Sequence, residues 1–296
     1  MRQHSRVIAI FGGLGAAFMW GISNITSSRS SRAIGPISAV GWVAFVGLVM
    51  TLPLLVAAGP VPELSAGTLL LMLGAGVSGI VGGFLFYRAL RLGKIGLVSA
   101  VTSTEGAVAA VIAVIAGEAL GFGSAVMLAV IAVGVVVVAL AAGDAEAGPA
   151  STRHVDPRDA PRAIAYAGLS ALAFGFGLYC TARVGSTLPL AYAVLPQRLV
   201  GTVVVFLPLL VTRRLRITRE ALPFVLATAL VEVLGTASFA LGARQSVAVA
   251  AVLASQFAAI AAVAAFVIYH EHLTVRQRSG VVAIAVGVAV LSGLRV

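Results

Sequence analysis

The stretch FVIYHEHLTVRQRSGVVAIAVGV, residues 266–288, sets a short polar group between two apolar runs. An earlier stretch, GEALGFGSAVMLAVIAVGV at residues 117–135, has the same organisation. In each, a Glu-x-Leu motif that starts at Glu118 or Glu271 precedes a Gly-Val pair at the same spacing. The pattern therefore occurs twice and marks a seam between apolar segments.

Two further pairs of stretches repeat at nearly the same distance along the chain. TLPLLV at 51–56 is similar to FLPLLV at 206–211, and FMWG at 18–21 is similar to FGFG at 174–177. Their nearly constant separation predicts a duplicated half.

The composition places the chain in a lipid bilayer. It is 60% hydrophobic and only 10% charged, whereas soluble proteins have about 25% charged residues. Apolar segments of about 20 residues match the hydrocarbon core, and their unbroken character favours helices over the alternating strands of a membrane barrel. We predict ten spans: 7–27, 36–57, 66–90, 96–116, 121–142, 162–182, 188–211, 220–243, 247–269 and 274–294.

An odd number of spans in each half reverses the direction of the second copy. The expected fold is therefore an all-α integral membrane protein made of two inverted five-helix repeats, at 1–142 and 162–296, joined by a polar linker at 143–161 that holds every Asp of the chain. Inverted repeats are typical of secondary transporters, which bind their substrate between the halves near the bilayer midplane.

Composition and motifs argue against several other classes. Cys180 is the only cysteine, which excludes an internal disulfide or a Cys-based metal site. Arg2 and Arg6 precede the first span, but we expect no signal-peptide cleavage there because that span has a counterpart in the second half. The chain has a net charge of +10, and its arginines lie between the apolar segments, which indicates membrane orientation instead of nucleic-acid binding. GKIG at 93–96 lacks the features of a phosphate-binding loop, and we find no catalytic dyad, so we expect neither an enzyme nor a cofactor.

These residues resemble a known family. The paired Glu-x-Leu motifs, YRAL at 87–90 and Arg198 within the seventh span are similar to the ten-helix EamA-type carriers of the drug/metabolite transporter superfamily. The resemblance covers nearly the whole chain and implies export of small metabolites, with the aromatic amino-acid exporters as one candidate branch. The chain departs from the family in lacking the proline usual in the fourth and ninth helices, where Glu105 and 256–258 stand.

The His-Glu-His sequence at 270–272 has two interpretations. It can be read as a zinc site, but consecutive side chains do not share a helix face, and no further ligand converges on them. We favour a polar helix end, with Glu271 capping the tenth helix and Glu118 capping the fifth. No metal is therefore expected.

Three charged residues fall inside predicted spans. Glu105 and Glu232 would be costly in hydrocarbon unless protonated, paired or facing water, so each is a candidate to bind a substrate amine or to carry a coupling proton. Arg198 can pair with either glutamate, recognise a substrate carboxylate, or extend to the membrane interface. A purely structural role stays open for all three.

Aromatic and polar side chains in several spans complete the candidate substrate-binding set. Rings beside a few polar groups are typical of cavities for small amphipathic solutes, although the same rings can also pack against lipid. The remaining candidates are Trp20, Ser23, Asn24, Trp42, Tyr87, Ser103, Phe176, Tyr179, Phe239, Ser255 and Gln256. Trp20 and Phe176 occupy matching positions in the two halves, so both are expected to approach the substrate.

The resulting hypothesis is a multi-pass carrier of a bacterial-type inner (plasma) membrane. It exports small metabolites, with aromatic or other apolar amino acids as the first candidates, by alternating access through a central cavity. The partners expected are the substrate and membrane lipid, with proton coupling and a monomeric or dimeric state left open. The rivals are a membrane enzyme and a channel. Most Lys and Arg residues lie in odd-numbered loops, which predicts cytoplasmic odd loops and external termini.

Overall fold

The structure is a computed structural model that describes residues 2–93, 98, 101–119, 121–123, 125–126, 129–130, 133, 159–257 and 260. All regular elements in these residues are helical. They are α1 (Arg2–Ile34), α2 (Pro36–Ala57), α3 (Ala66–Leu92), α4 (Glu105–Ile115), α5 (Ala160–Thr187), α6 (Leu190–Gly201), a π-helical turn (Thr202–Phe206), α7 (Leu207–Val211), α8 (Leu222–Ala243) and α9 (Val247–Ala254).

Six helical stretches in the described residues are long and apolar enough to cross a membrane. They are Val7–Ile34, Pro36–Ala57, Ala66–Leu92, Pro161–Thr187, Leu190–Val211 and Leu222–Ala243. These correspond to six of the ten predicted spans, while α4 is an apolar helix of shorter length. The predicted span 274–294, most of 121–142, the part of 247–269 at 258–259 and 261–269, the polar group 270–272 and most of the linker lie outside the described residues.

Local sequence signals explain where several helices begin and end. Gly35 has φ of 84°, a left-handed conformation that glycine adopts without strain, and Pro36 then starts α2 with a backbone that needs no amide donor. Ser65 caps α3 by accepting a hydrogen bond from the Thr68 amide at 3.1 Å.

Helices of the first half pack mainly against helices of the second half. The first helix, α1, packs on α8, and its counterpart α5 packs in the same way on α3. Equivalent helices also pack together, α2 with α6 and α4 with α9, and two further matching sets are α4 on α5 with α9 on α1, and α3 on α6 with α8 on α2. Two copies of one unit related by a twofold axis would produce this set of pairs.

Small residues allow the closest of these approaches. A Cβ atom on Gly12 of α1 would lie 2.5 Å from the Cα of Gly242 in α8. One on Gly13 would lie 2.8 Å from the carbonyl oxygen of Ala250 in α9. Because these neighbours are backbone atoms, only glycine fits, as in other helix contacts inside membranes.

The predicted fourth and ninth spans are both interrupted without a proline. Residues 103–104 form a turn just before α4, and residues 255–256 form one just after α9. Side chains bond back to the preceding turn at both places: Thr104 Oγ1 donates to the Val101 carbonyl at 2.7 Å, and Ser255 Oγ donates to the Val252 carbonyl at 2.9 Å. Such local bonds compete with the helical ladder and give the break that proline usually supplies.

The expectation that Glu118 caps the fifth helix is wrong. Its carboxylate accepts hydrogen bonds from Ser246 Oγ at 2.5 Å and from the amides of Val247 at 3.2 Å and Ala248 at 3.3 Å. These are the free donors at the start of α9, which attract an anion regardless of where it lies in the sequence. Glu118 therefore joins the loop between the predicted fourth and fifth spans to the second half.

Candidate functional site

A cavity of ≈130 Å³ lies among the helices, with walls from both halves of the chain. Helices α1, α2, α3, α5, α6 and α8 contribute to it, together with the residues at the two interruptions. The volume has room for roughly ten water molecules, so it suits a small solute. Small residues form part of its wall, among them Ala44, Ala75, Gly79, Gly83 and Gly177.

One wall of the cavity carries a buried ion pair. Arg198 Nη2 donates to Glu232 Oε2 at 3.3 Å, and Ser23 Oγ donates to Glu232 Oε1 at 2.7 Å. The packing of α1 on α8 brings Ser23 to Glu232. Gly47 makes room for the arginine, since a Cβ at that position would lie 2.8 Å from Arg198 Cδ.

The two partners of this pair differ in exposure. The Arg198 side chain is 3% exposed, whereas that of Glu232 is 24% exposed and faces the cavity. Arg198 therefore stabilises the Glu232 carboxylate and exposes little of its own surface to a solute.

Glu105 is the second carboxyl of the cavity. It begins α4 directly after the interruption and is 5% exposed. Among the described residues no basic side chain forms an ion pair with it. Gly175 of α5 sits against it so closely that an added Cβ would lie 2.7 Å from the Glu105 carbonyl oxygen. The backbone that carries Glu105 is thus packed tightly against α5.

Besides Arg198 Nε, two polar atoms of cavity-lining residues have no hydrogen-bond partner among the described residues. These are Asn24 Nδ2 and Thr102 Oγ1, both buried. A buried polar group without a partner costs about 1–3 kcal/mol, so such groups are uncommon in packed protein. On a cavity wall they are available to a ligand.

Five aromatic residues form part of the cavity wall. Trp20, Phe86, Tyr87, Phe174 and Phe257 line the cavity. The rings of Phe86 and Phe174 have centroids 6.4 Å apart at a steep angle, which joins α3 to α5. Tyr87 lies with its hydroxyl beside the Ser27 side chain of α1.

The structure brings together half of the site residues predicted from sequence. The predicted residues that line the cavity are Trp20, Ser23, Asn24, Tyr87, Glu105, Arg198 and Glu232. Of the interpretations open for Arg198, pairing with Glu232 is the one observed. The described cavity wall does not include Trp42, Ser103, Phe176, Tyr179, Phe239, Ser255 or Gln256.

The predicted aromatic residues outside the cavity have other roles. Trp42 donates its indole N–H to the Arg216 carbonyl at 3.1 Å and packs edge-on against Phe206. Phe176 is 46% exposed, so its expected equivalence with Trp20 at the cavity is not met. Phe239 is fully buried behind Trp20, with ring centroids 6.1 Å apart, and Tyr179 packs against the same cluster.

The polar predictions outside the cavity belong to the interruptions. Ser255 and Gln256 both donate to the Val252 carbonyl, and Ser103 is buried in the turn that precedes Glu105. All three lie in the turns that interrupt the predicted fourth and ninth spans, and they are not among the residues that line the cavity.

Sequence reasoning missed several cavity residues. They are Ser27, Phe86, Phe174, Thr181, Gln197, Thr236 and Phe257, together with the small and aliphatic wall residues. A signal existed for Phe257, because it follows Ser255-Gln256 as Glu105 follows Ser103-Thr104. No comparable signal distinguishes Phe174 from Phe176, since both alternate with glycine in FGFG.

The sequence matches the model of a known protein family. The EamA-like transporter family matches residues 7–140 and 161–293. The chain belongs to this family. The two matched segments agree with a duplicated organisation, and the family consists of membrane transporters of small molecules, which places this EamA-like chain in the drug/metabolite transporter superfamily as a multi-pass membrane protein.

Comparison with solved structures supports the fold. A crystal structure whose description names no function is similar to this EamA-like chain with a TM-score of 0.75 at 16% identity, covering 97% of this chain and 98% of the other. At that identity the likeness concerns the fold alone. No curated protein matches the sequence. Within the described residues no three His, Cys, Asp or Glu side chains come together in a group able to hold a metal ion.

Proposed function

We propose that this protein is a secondary transporter that exports small amphipathic metabolites, amino acids among them, across a bacterial-type inner (plasma) membrane. The observation that carries this proposal is the cavity itself. It places an ion pair, a second carboxyl and unpartnered polar atoms inside a bundle whose outer surface is apolar. Polar groups at that depth are costly and are typical of a substrate pathway.

Aromatic or other apolar amino acids suit the composition of the wall. Trp20, Phe174 and Phe257 offer apolar contact, while Asn24 and Thr102 offer hydrogen bonds to a polar head. A concave site with many rings and few polar groups binds solutes that have both characters. This supports the aromatic amino-acid exporter branch as the first to test.

The packing of helices across the two halves supports alternating access as the mechanism. The cavity lies between two sets of helices that contact each other through small residues, such as Gly12 and Gly13, and smooth surfaces of this kind allow one half to rock against the other. Glu105 and Glu232 are the described cavity residues able to carry a coupling proton.

Counterflow in proteoliposomes tests this function. Vesicles that contain the purified full chain are loaded with unlabelled phenylalanine and diluted into labelled phenylalanine, and we expect saturable uptake that exceeds protein-free vesicles. Glu105→Gln should impair the exchange while expression is retained, and Glu220→Gln, on an exposed loop, should not. Flux that never saturates would favour a channel. If no amino acid and no related amine is exchanged, the proposed carrier function is refuted.

A further inference from the structure

The charges in the cavity do not balance. Its described wall carries two carboxyl groups, on Glu105 and Glu232, and one basic group, on Arg198. The arginine is paired with Glu232. Within the described part of the chain Glu105 therefore has no basic partner, although it lies close enough to Glu232 for the two carboxyls to interact electrostatically.

Arg198 is poorly placed to receive an anionic group. Its side chain is 3% exposed, and its Nη2 atom already donates to Glu232 at 3.3 Å. Binding a substrate carboxylate would require it to leave Glu232, and breaking a buried pair leaves one charge uncompensated. Among the described cavity residues no other basic side chain is available to a carboxylate.

Glu105 is well placed to receive a cation. It stands beside Thr102, whose hydroxyl has no partner, and the wall that it shares includes the rings of Trp20, Phe174 and Phe257. A protonated amine can donate to the carboxylate and the hydroxyl, while ring faces attract its positive charge and pack against its apolar part. These groups together match an ammonium head attached to an apolar body.

We propose that Glu105 selects substrates by a protonated amine and that a substrate carboxylate is dispensable. The cavity then prefers amphipathic amines and accepts amino acids through their ammonium group. This inference rests on the proposed carrier function and names the substrate class of its site.

Three ring-matched compounds test the selectivity: 2-phenylethylamine, phenylalanine and 3-phenylpropionate. Their affinities for the purified full chain are measured by calorimetry, and each is then tried in counterflow. We expect the amine to bind at least as tightly as phenylalanine and the acid to bind about tenfold or more weakly, since a charge-assisted hydrogen bond is lost. Glu105→Gln should weaken binding of the amine by a similar factor, and Glu105→Asp should weaken it by less. The exposed control Glu220→Gln should not change its affinity.

The outcomes separate the two proposals. If the amine and phenylalanine exchange but the acid binds as tightly as the amine, the carrier function stands and the role of Glu105 falls. The role also falls if Glu105→Gln, shown to be folded by its thermal unfolding, keeps the affinity of the wild type for the amine. If none of the three compounds binds or exchanges, both proposals fail.

Discussion

Removing Glu232 should destabilise the protein more than removing its partner Arg198. In Glu232→Leu the guanidinium is left charged in a site where its side chain is 3% exposed. Breaking a buried pair in this way costs about 3–5 kcal/mol. In Arg198→Met the thioether chain still packs over Gly47, and Glu232 keeps the Ser23 hydroxyl and its contact with the cavity. The cost should then be that of a lost charged hydrogen bond, about 1–3 kcal/mol.

The double variant isolates the pair. Replacing both charges by apolar residues leaves no uncompensated ion, so Arg198→Met with Glu232→Leu should be more stable than Glu232→Leu alone, with a coupling energy of about 1–3 kcal/mol. The free energy of unfolding is measured by titrating the purified protein from mild detergent micelles into sodium dodecyl sulfate. Additive single-variant effects, or a larger loss for Arg198→Met, would show that the arginine does not depend on Glu232.

Three further predictions follow from packing, cavity geometry and charge. Gly12→Ala should lower the free energy of unfolding by about 1–3 kcal/mol, because its Cβ would meet Gly242 backbone, whereas Gly168→Ala, with nothing within 4 Å, should be neutral or slightly stabilising in the same titration. Phe174→Ala should weaken binding of an aryl substrate by about tenfold in calorimetry, and Phe176→Ala, at an exposed outer position, should leave it unchanged. A C-terminal reporter active only in the periplasm should work and a cytoplasm-only fluorescent one should stay dark; the reverse would mean that the loop charges do not decide orientation.

Helix positions were predictable where hydropathy and local signals coincide. The predicted span 36–57 and the helix Pro36–Ala57 agree because glycine and proline mark its start. The first span was predicted to end at residue 27, but α1 continues to Ile34. Its last turns are rich in serine, and hydroxyls such as those of Ser30 and Ser31 bond back to carbonyls of the same helix, so a polar stretch remains helical and buried.

The charged part of the site was predictable because charge is rare in a membrane span. Glu105, Arg198 and Glu232 were identified because a charged side chain in hydrocarbon is costly in free energy, and all three line the cavity. Aromatic residues are common in membrane helices and carry no such signal, so the rotation of α5 decides that Phe174 faces inward and Phe176 outward. Partners that are distant in sequence, such as Glu118 and the start of α9, follow from packing that no local pattern reports.

The two interruptions explain how a duplicated unit can bind an asymmetric solute. Each half breaks a helix beside the cavity, and the residue that follows the break is Glu105 in one half and Phe257 in the other. The breaks pack together, since Gly106 lies against Ser255 and the Ala251 carbonyl. Matching backbone positions therefore present a carboxyl and an aromatic ring on neighbouring parts of one wall. A solute with an ammonium at one end and an apolar body at the other has one favourable direction in such a site, because reversing it would take its ammonium away from Glu105 and place its apolar part against that carboxyl.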